Sequence, residues 1–273
     1  MTQCSKILVL FLFVTLAVYG QASSTASGTS FVVFDGTLYQ RKPDLRPFGL
    51  KPITICYSSS LWKKASDSQS LPTADTIRDL AIQASKSTGI VAIDIESWPV
   101  TGDPSIVAQS LQKYTQTINL FKQSAPSLKV GYYGVAPIRN YWDAIGDKST
   151  PKYKAWQTAD DRVSSIGKTA DVLFPSVYTF YKDEIGWRTY ATAQIAEARR
   201  ISNGKPVYVF LWPQFHDASS EYLPPGYWRM ELNTARQYAD GIVIWGGWQQ
   251  PWNPNAPWWL ETLRFLNENH IGK

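Results

Sequence analysis

The sequence predicts a single α/β domain of the TIM-like barrel class, built from seven parallel strands in a (β/α)7 order. Three observations carry that expectation. Seven short runs are almost continuously apolar, at residues 31–34, 53–57, 89–95, 129–133, 172–178, 207–212 and 241–245. Strands covered on both faces read this way, whereas half-exposed strands alternate. Most intervals between the runs place apolar residues at helical spacing, and strand–helix alternation without a break in composition argues one α/β unit. The chain has 273 residues, a length that α/β barrels commonly have.

Taken in order, the first run ends at Asp35, and the interval 36–52 shows only a weak helical pattern. The second run, 53–57, carries Cys56 among apolar neighbours and predicts a small buried hydrophobe there. Residues 73–87 set Ile77, Leu80, Ala81 and Ala84 on one stripe. The third run ends in Asp94 and Glu96, with Trp98 just beyond. A helix over 103–124 follows, with Ile106, Val107, Leu111, Tyr114, Ile118 and Phe121 on its apolar face. The fourth run leads into Tyr133 and Gly134, and the fifth ends at Tyr178. The sixth ends at Trp212, and the seventh runs through Trp245 to Trp248. Further helices are expected over 155–168, 186–201, 225–239 and 257–269. An open doubly wound sheet shares this alternation, but such sheets usually bring a glycine-rich phosphate loop, and none follows any run here. In a barrel, function gathers at the C-terminal strand ends.

The N-terminus is expected to stand outside this domain. Lys6, an apolar run over 7–18 and the small residues Gly20 and Ala22 read as a secretory signal peptide over 1–22. The run is shorter than the roughly 17–25 residues a membrane anchor needs. Residues 23–30, rich in Ser, Thr, Gly and Ala, read as a flexible leader, leaving 31–273 as the domain. The expected location is therefore secreted, extracellular or periplasmic. Cys4 lies within the signal, so the mature chain has one cysteine and no internal disulfide.

Composition removes several function classes. The net charge of +5 is mildly basic, and no Lys/Arg cluster resembles a nucleic-acid footprint. No other run approaches membrane length, and nothing marks an oligomer, so a monomer is the default. The two histidines, His216 and His270, lie far apart, which argues against a metal site; no cofactor is expected. His216, just after the sixth run, reads as a surface-loop residue, with contact to the cleft as the alternative, and His270 reads as a solvated tail residue. No G-x-S-x-G elbow or Cys–His pairing is evident. Twelve Trp and fifteen Tyr remain, many beside loops, and aromatic faces stack on sugars as readily as they pack cores.

Acid chemistry is the best-supplied option. Side chains on a strand alternate, so Asp94 and Glu96 point the same way. Alone, the pair would read as strand-end carboxylates that cap a helix or meet an arginine. At the third strand end of a barrel pattern, two close acids push their pKa values apart and let one move a proton.

The segment Asp94-Ile95-Glu96-Ser97-Trp98 resembles the D-x-E-x-W motif of the hyaluronidases, glycoside hydrolase family 56. Four more segments resemble the family in the same order: Gly131-Tyr132-Tyr133-Gly134, Leu173-Phe174-Pro175-Ser176-Val177-Tyr178, Pro206-Val207-Tyr208-Val209-Phe210 and Gly241-Ile242-Val243-Ile244-Trp245-Gly246. The resemblance covers about residues 50 to 265 and implies a distorted seven-stranded barrel. It also implies hydrolysis of a polysaccharide with β-linked N-acetylhexosamine, with retention, using the substrate's acetamido oxygen as nucleophile. Carried over, Glu96 is the general acid and base, Asp94 orients the acetamido group, Tyr178 hydrogen-bonds it, and Trp245 walls its methyl. Tyr133, Tyr141, Arg139, Trp98, Trp212, Trp248 and Asp35 are expected to contribute to substrate binding.

The chain also departs from the family. It cannot form the disulfides of the animal members. Where the family often reads C-Y-N, this chain reads Ile138-Arg139-Asn140, so Arg139 stands in place of a tyrosine, or Tyr141 takes that contact over. Arg139, Arg188 and Lys182 would meet a uronate carboxylate or remain solvated. Two alternatives stay open: a glycosidase with a protein carboxylate partner such as Asp35, and a catalytically silent glycan-binding barrel.

Overall fold

The computed structural model describes residues 31–217 and 221–272. The expected signal peptide and leader lie outside the described residues. Seven strands form two parallel sheets: β1 (Val32–Thr37), β2 (Lys51–Pro52), β3 (Thr54–Tyr57), β4 (Ile90–Asp94), β5 (Lys129–Tyr132), β6 (Tyr208–Leu211) and β7 (Gly241–Gly246). One sheet has the order β2-β1-β7-β6, the other β3-β4-β5. Two seams join them into a distorted ring. At one, the chain runs from β2 through Ile53 into β3, so a single extended stretch belongs to both sheets. At the other, residues 172–178 stand between β5 and β6.

That second seam corrects the expected fifth strand. The segment forms lone parallel bridges, Tyr133↔Phe174, Leu173↔Val207 and Ser176↔Phe210, and no ladder. Pro175 has no N–H to donate and only accepts, from Phe210 at 2.9 Å. Val177 donates to Phe210 at 3.2 Å, and Gly134 donates to Phe174 at 2.9 Å. Gly131 makes the seam possible, because a Cβ there would lie 2.2 Å from the Val172 carbonyl oxygen.

Helices fill the intervals: α1 (Ser58–Leu61), α2 (Ala74–Ser87), α3 (Pro104–Ser124), α4 (Tyr141–Ala144), α5 (Pro151–Thr169), α6 (Glu184–Ser202), α7 (Pro225–Tyr238) and α8 (Pro257–Glu268). All six expected helices are present. The fourth interval's helix starts earlier than its apolar stripe suggests, because Thr150 caps it by accepting from Tyr153 N and Pro151 occupies the first turn. The weak pattern over 36–52 holds only a 3-10 turn at Arg46–Phe48. No helix among the described residues is long and apolar enough to cross a membrane.

Two apolar clusters divide the strands by parity. Val33, Val91, Val209 and Ile242 belong to the outer cluster under the helices. Phe34, Ala92, Phe174, Phe210 and Val243 fill the ring's interior. Two residues further along each strand, the same inward face reaches the C-terminal rim.

Candidate active site

Parity places the rim side chains. Ala92 is followed on its face by Asp94, Phe210 by Trp212, Val243 by Trp245, and the inward-packed Ile55 by Tyr57. These four, with Tyr178, line one pocket of about 230 Å³ that also includes Glu96 and Tyr133. Tyr178 is the centre of an aromatic cage. Its ring stacks on Trp245 with centroids 5.8 Å apart and meets Trp212 edge-on at 5.8 Å. Trp245 donates its indole N–H to the Tyr57 hydroxyl at 2.9 Å. Gly246, at φ 135°, lets the chain turn here, since a Cβ would come within 2.7 Å of Trp212.

The two acids occupy different environments. Asp94 is partly buried and Glu96 exposed. Burial, and then the Glu96 charge, pushes Asp94 up to about 6, so the raised carboxyl that the pairing predicts is found on Asp94. The loop beyond is held from below. Tyr114 donates to the carbonyls of Ile95 and Trp98 at 2.9 and 3.0 Å, which brackets Glu96. Ser58 donates to the Asp94 carbonyl at 3.0 Å. Burial also holds the Tyr178 phenol well above its ordinary pKa, so it stays protonated and able to donate.

A second pocket of about 260 Å³ opens on the other side of Glu96 and Tyr133. Arg139 lines it, with its guanidinium carbon 5.4 Å from the centre of the Phe180 ring. Glu96 and Tyr133 therefore stand where the two pockets meet.

Several expected residues are placed elsewhere. Asp35 lies one residue out of register with the inward Phe34 and lines neither pocket. Lys42 grips its two carboxylate oxygens at 2.6 and 2.8 Å, and Thr37 donates to it as well. Trp98 is a buried floor to the second pocket, packed on Trp62 and Tyr114, with its indole N–H given to Ser68 at 2.7 Å. Tyr141 turns toward α6, among Trp142, Tyr181 and Tyr190, and reaches neither pocket. Of the two residues proposed for the missing tyrosine's position, Arg139 is the one at the cleft. Trp248 is exposed and also lines neither pocket. Lys182 pairs with Glu221 at 2.7 Å, and Arg188 is exposed on α6. Cys56 is buried, its thiol pushed up to about 12 by desolvation and then the Asp94 charge.

Tyr57, His216 and Asp217 line the cage but were not among the expected site residues. Tyr57 ends the second apolar run, and the strand-end rule applied there would have found it. For His216 the alternative of contact with the cleft is the one that holds. It is exposed by area, yet its ring stacks on Tyr178 at 5.8 Å and meets Trp212 at 5.4 Å.

The chain is similar in sequence to curated hyaluronidases. It is 29% identical to one from Polistes annularis over 144 residues, 48% of this chain and 37% of that protein. It is 26% identical to one from Polybia paulista over 178 residues, 59% of each. The matched stretches thus span between about a third and three fifths of those relatives. No family model matches the chain. In fold it resembles the crystal structure of bee venom hyaluronidase, with a TM-score of 0.63 and 17% identity over 89% of this chain and 99% of that one. The complex of the same enzyme with a hyaluronic acid tetramer gives a TM-score of 0.59, at 17% identity over 87% and 96% of the two chains. The chain is hyaluronidase-like in both respects.

Proposed function

We propose that the protein is a secreted glycoside hydrolase that cleaves a polysaccharide containing β-linked N-acetylhexosamine, with retention and by substrate assistance. The observation that carries this reading is the pairing of a partly buried Asp94 with an exposed Glu96 at the mouth of one aromatic cage. In this reading the cage takes the N-acetylhexosamine. Glu96 gives its proton to the glycosidic oxygen as the C1–O bond breaks. The acetamido oxygen closes on C1 from the opposite face to form a cyclic oxazolinium-like intermediate. Asp94 accepts the acetamido N–H and its carboxylate balances the growing positive charge. Glu96, now ionised, takes a proton from water as that water opens the ring, restoring the original configuration. The Tyr178 phenol donates to the acetamido group, and Trp245 bounds its methyl.

The hyaluronidase similarity supports a glycosaminoglycan as the substrate class. The partner considered for an ordinary carboxylate nucleophile, Asp35, is held by Lys42 outside the two pockets. The test is reducing-end release from a panel of glycans: hyaluronan, chondroitin, chitin oligosaccharides and a polymer without acetamido groups. Release from acetamido-bearing chains with retained configuration is expected. Equal release from the acetamido-free polymer would refute substrate assistance, and binding without release would favour a silent glycan-binding barrel.

A further inference from the structure

Helix α8 ends in a turn that ordinarily takes a glycine. The Ile271 N–H donates to the Leu266 carbonyl at 3.0 Å and the His270 N–H to the Asn267 carbonyl at 3.3 Å, the paired bonds that close a helix on a left-handed residue. That left-handed residue is His270, at φ 53°. A histidine is strained there in a way that glycine is not. Strain of this kind points to a use for the side chain, and the use is to be sought in its surroundings.

His270 lines a pocket of about 430 Å³ at the N-terminal ends of β1 and β2, the pole opposite the aromatic cage. Lys51 and Arg236 line it too, and no aspartate or glutamate does. The three side chains are exposed and form no hydrogen bond or ion pair among the described residues. Helices α7 and α8 end beside the pocket, and each C-terminus contributes roughly half a negative charge. The Lys51 and Arg236 charges are therefore only about half offset.

The walls are fixed. Ile271 packs against the outer apolar cluster. Gly49 and Gly272 meet backbone to backbone, since a Cβ on Gly272 would lie 2.2 Å from the Gly49 Cα. That contact pins the turn after α8 to the connection between β1 and β2. Donors from three separate segments are thus held round one space, which lowers the entropy lost on binding. The volume suits a small organic ligand, and the half-buried Phe31 gives the pocket an apolar side.

We infer that this pocket is an oxyanion site, which takes the sulfate or phosphate group of a small ligand between Lys51, Arg236 and the His270 imidazole. Forked guanidinium N–H groups and a lysine point charge are the usual partners of such groups. The site stands apart from the proposed hydrolysis and does not depend on it.

Calorimetry on the full chain tests it, with inorganic sulfate, inorganic phosphate, glucose 6-sulfate and glucose as probes. The sugars lack the acetamido group that the cage is proposed to hold. Saturable binding of the oxyanions is expected, and none of glucose. Lys51→Gln and Arg236→Gln together should weaken it about tenfold or more. His270→Gly should also weaken it while leaving the melting temperature level or higher, because glycine relieves the left-handed turn. A merely structural histidine would move the melting temperature alone. Tighter binding of glucose 6-sulfate than of free sulfate identifies an ester as the ligand, and equal binding identifies a free ion. No saturable binding, equal binding of glucose and glucose 6-sulfate, or binding indifferent to the three substitutions overturns the inference.

Discussion

Glu231, wholly buried on α7, accepts a hydrogen bond from the hydroxyl of Thr179, the residue after Tyr178. Its second oxygen has no hydrogen-bond partner among the described residues, and burial holds its pKa well above the ordinary carboxylate range. The Thr179 carbonyl in turn accepts from His216 N at 2.7 Å. A buried side chain that lines neither pocket thus fixes two members of the cage through one residue. Glu231→Gln keeps an acceptor and removes the buried acid, so it should fold and gain thermal stability relative to the parent as pH rises above the carboxylate range. Glu231→Leu leaves the Thr179 hydroxyl unsatisfied, at a cost of about 1–3 kcal/mol. Melting curves at pH 5 and 8 check both.

Glu96→Gln should abolish turnover, by at least the ~10²–10⁴-fold that positioned acid–base groups contribute, while its melting temperature stays near that of the parent. Glu96 is exposed, and its side chain has no hydrogen bond to the protein among the described residues. A folded variant with undiminished turnover would remove it from the mechanism.

Asp94 supplies a stability prediction with a definite sign. Its folded pKa, about 6, lies above the unfolded value near 3.8. Between those values the folded state holds more of the proton than the unfolded state, so stability falls as pH rises through that window and stays lower above it. Asp94→Asn removes the penalty. The variant should melt above the parent at pH 7, match it near pH 3, and lose most activity. In the parent, the acid limb of the kcat/KM profile should fall near pH 6, as an apparent value of the interacting pair.

Asp160 is buried, raised to about 8 chiefly by desolvation, and holds the Ile138 N–H. Asp160→Asn preserves that acceptor and should be neutral or stabilising at pH 8. Asp160→Ala orphans the N–H and should cost about 1–3 kcal/mol, or roughly 2–10 °C in melting temperature for a domain of this size.

Period and order were legible in the residues because they reflect burial along each element: continuous apolar runs for strands, stripes for helices. Parity, once a single interior residue is known, is legible as well. It explains why Asp94, Trp212 and Trp245 face inward while Asp35, one residue after the inward Phe34, does not. The failures came where neighbours in space decide. Tyr141 and Trp248 lie beyond their strands, where alternation carries no information. His216 joins the cage through Tyr178, a contact between two separate connections of the barrel. The fifth run looked like its fellows, but Pro175 removed a donor that a ladder requires. The interruption between β2 and β3 beside Pro52 is another case in which apolarity alone misjudges hydrogen bonding.

The cage draws its walls from both sheets. Asp94 stands on the three-stranded sheet, Trp245 on the four-stranded one, and Tyr178 on the segment between them. Two of these walls rest on laddered strands, and the third on lone bridges reinforced from α6, where Trp187 and Tyr190 donate to the carbonyls of Val177 and Ser176 at 2.9 and 3.2 Å. A ligand laid across this rim would meet walls from three separate segments of the chain, each anchored in its own way. The cage geometry is therefore shared between the two sheets: loosening either seam would spread its walls without breaking a strand.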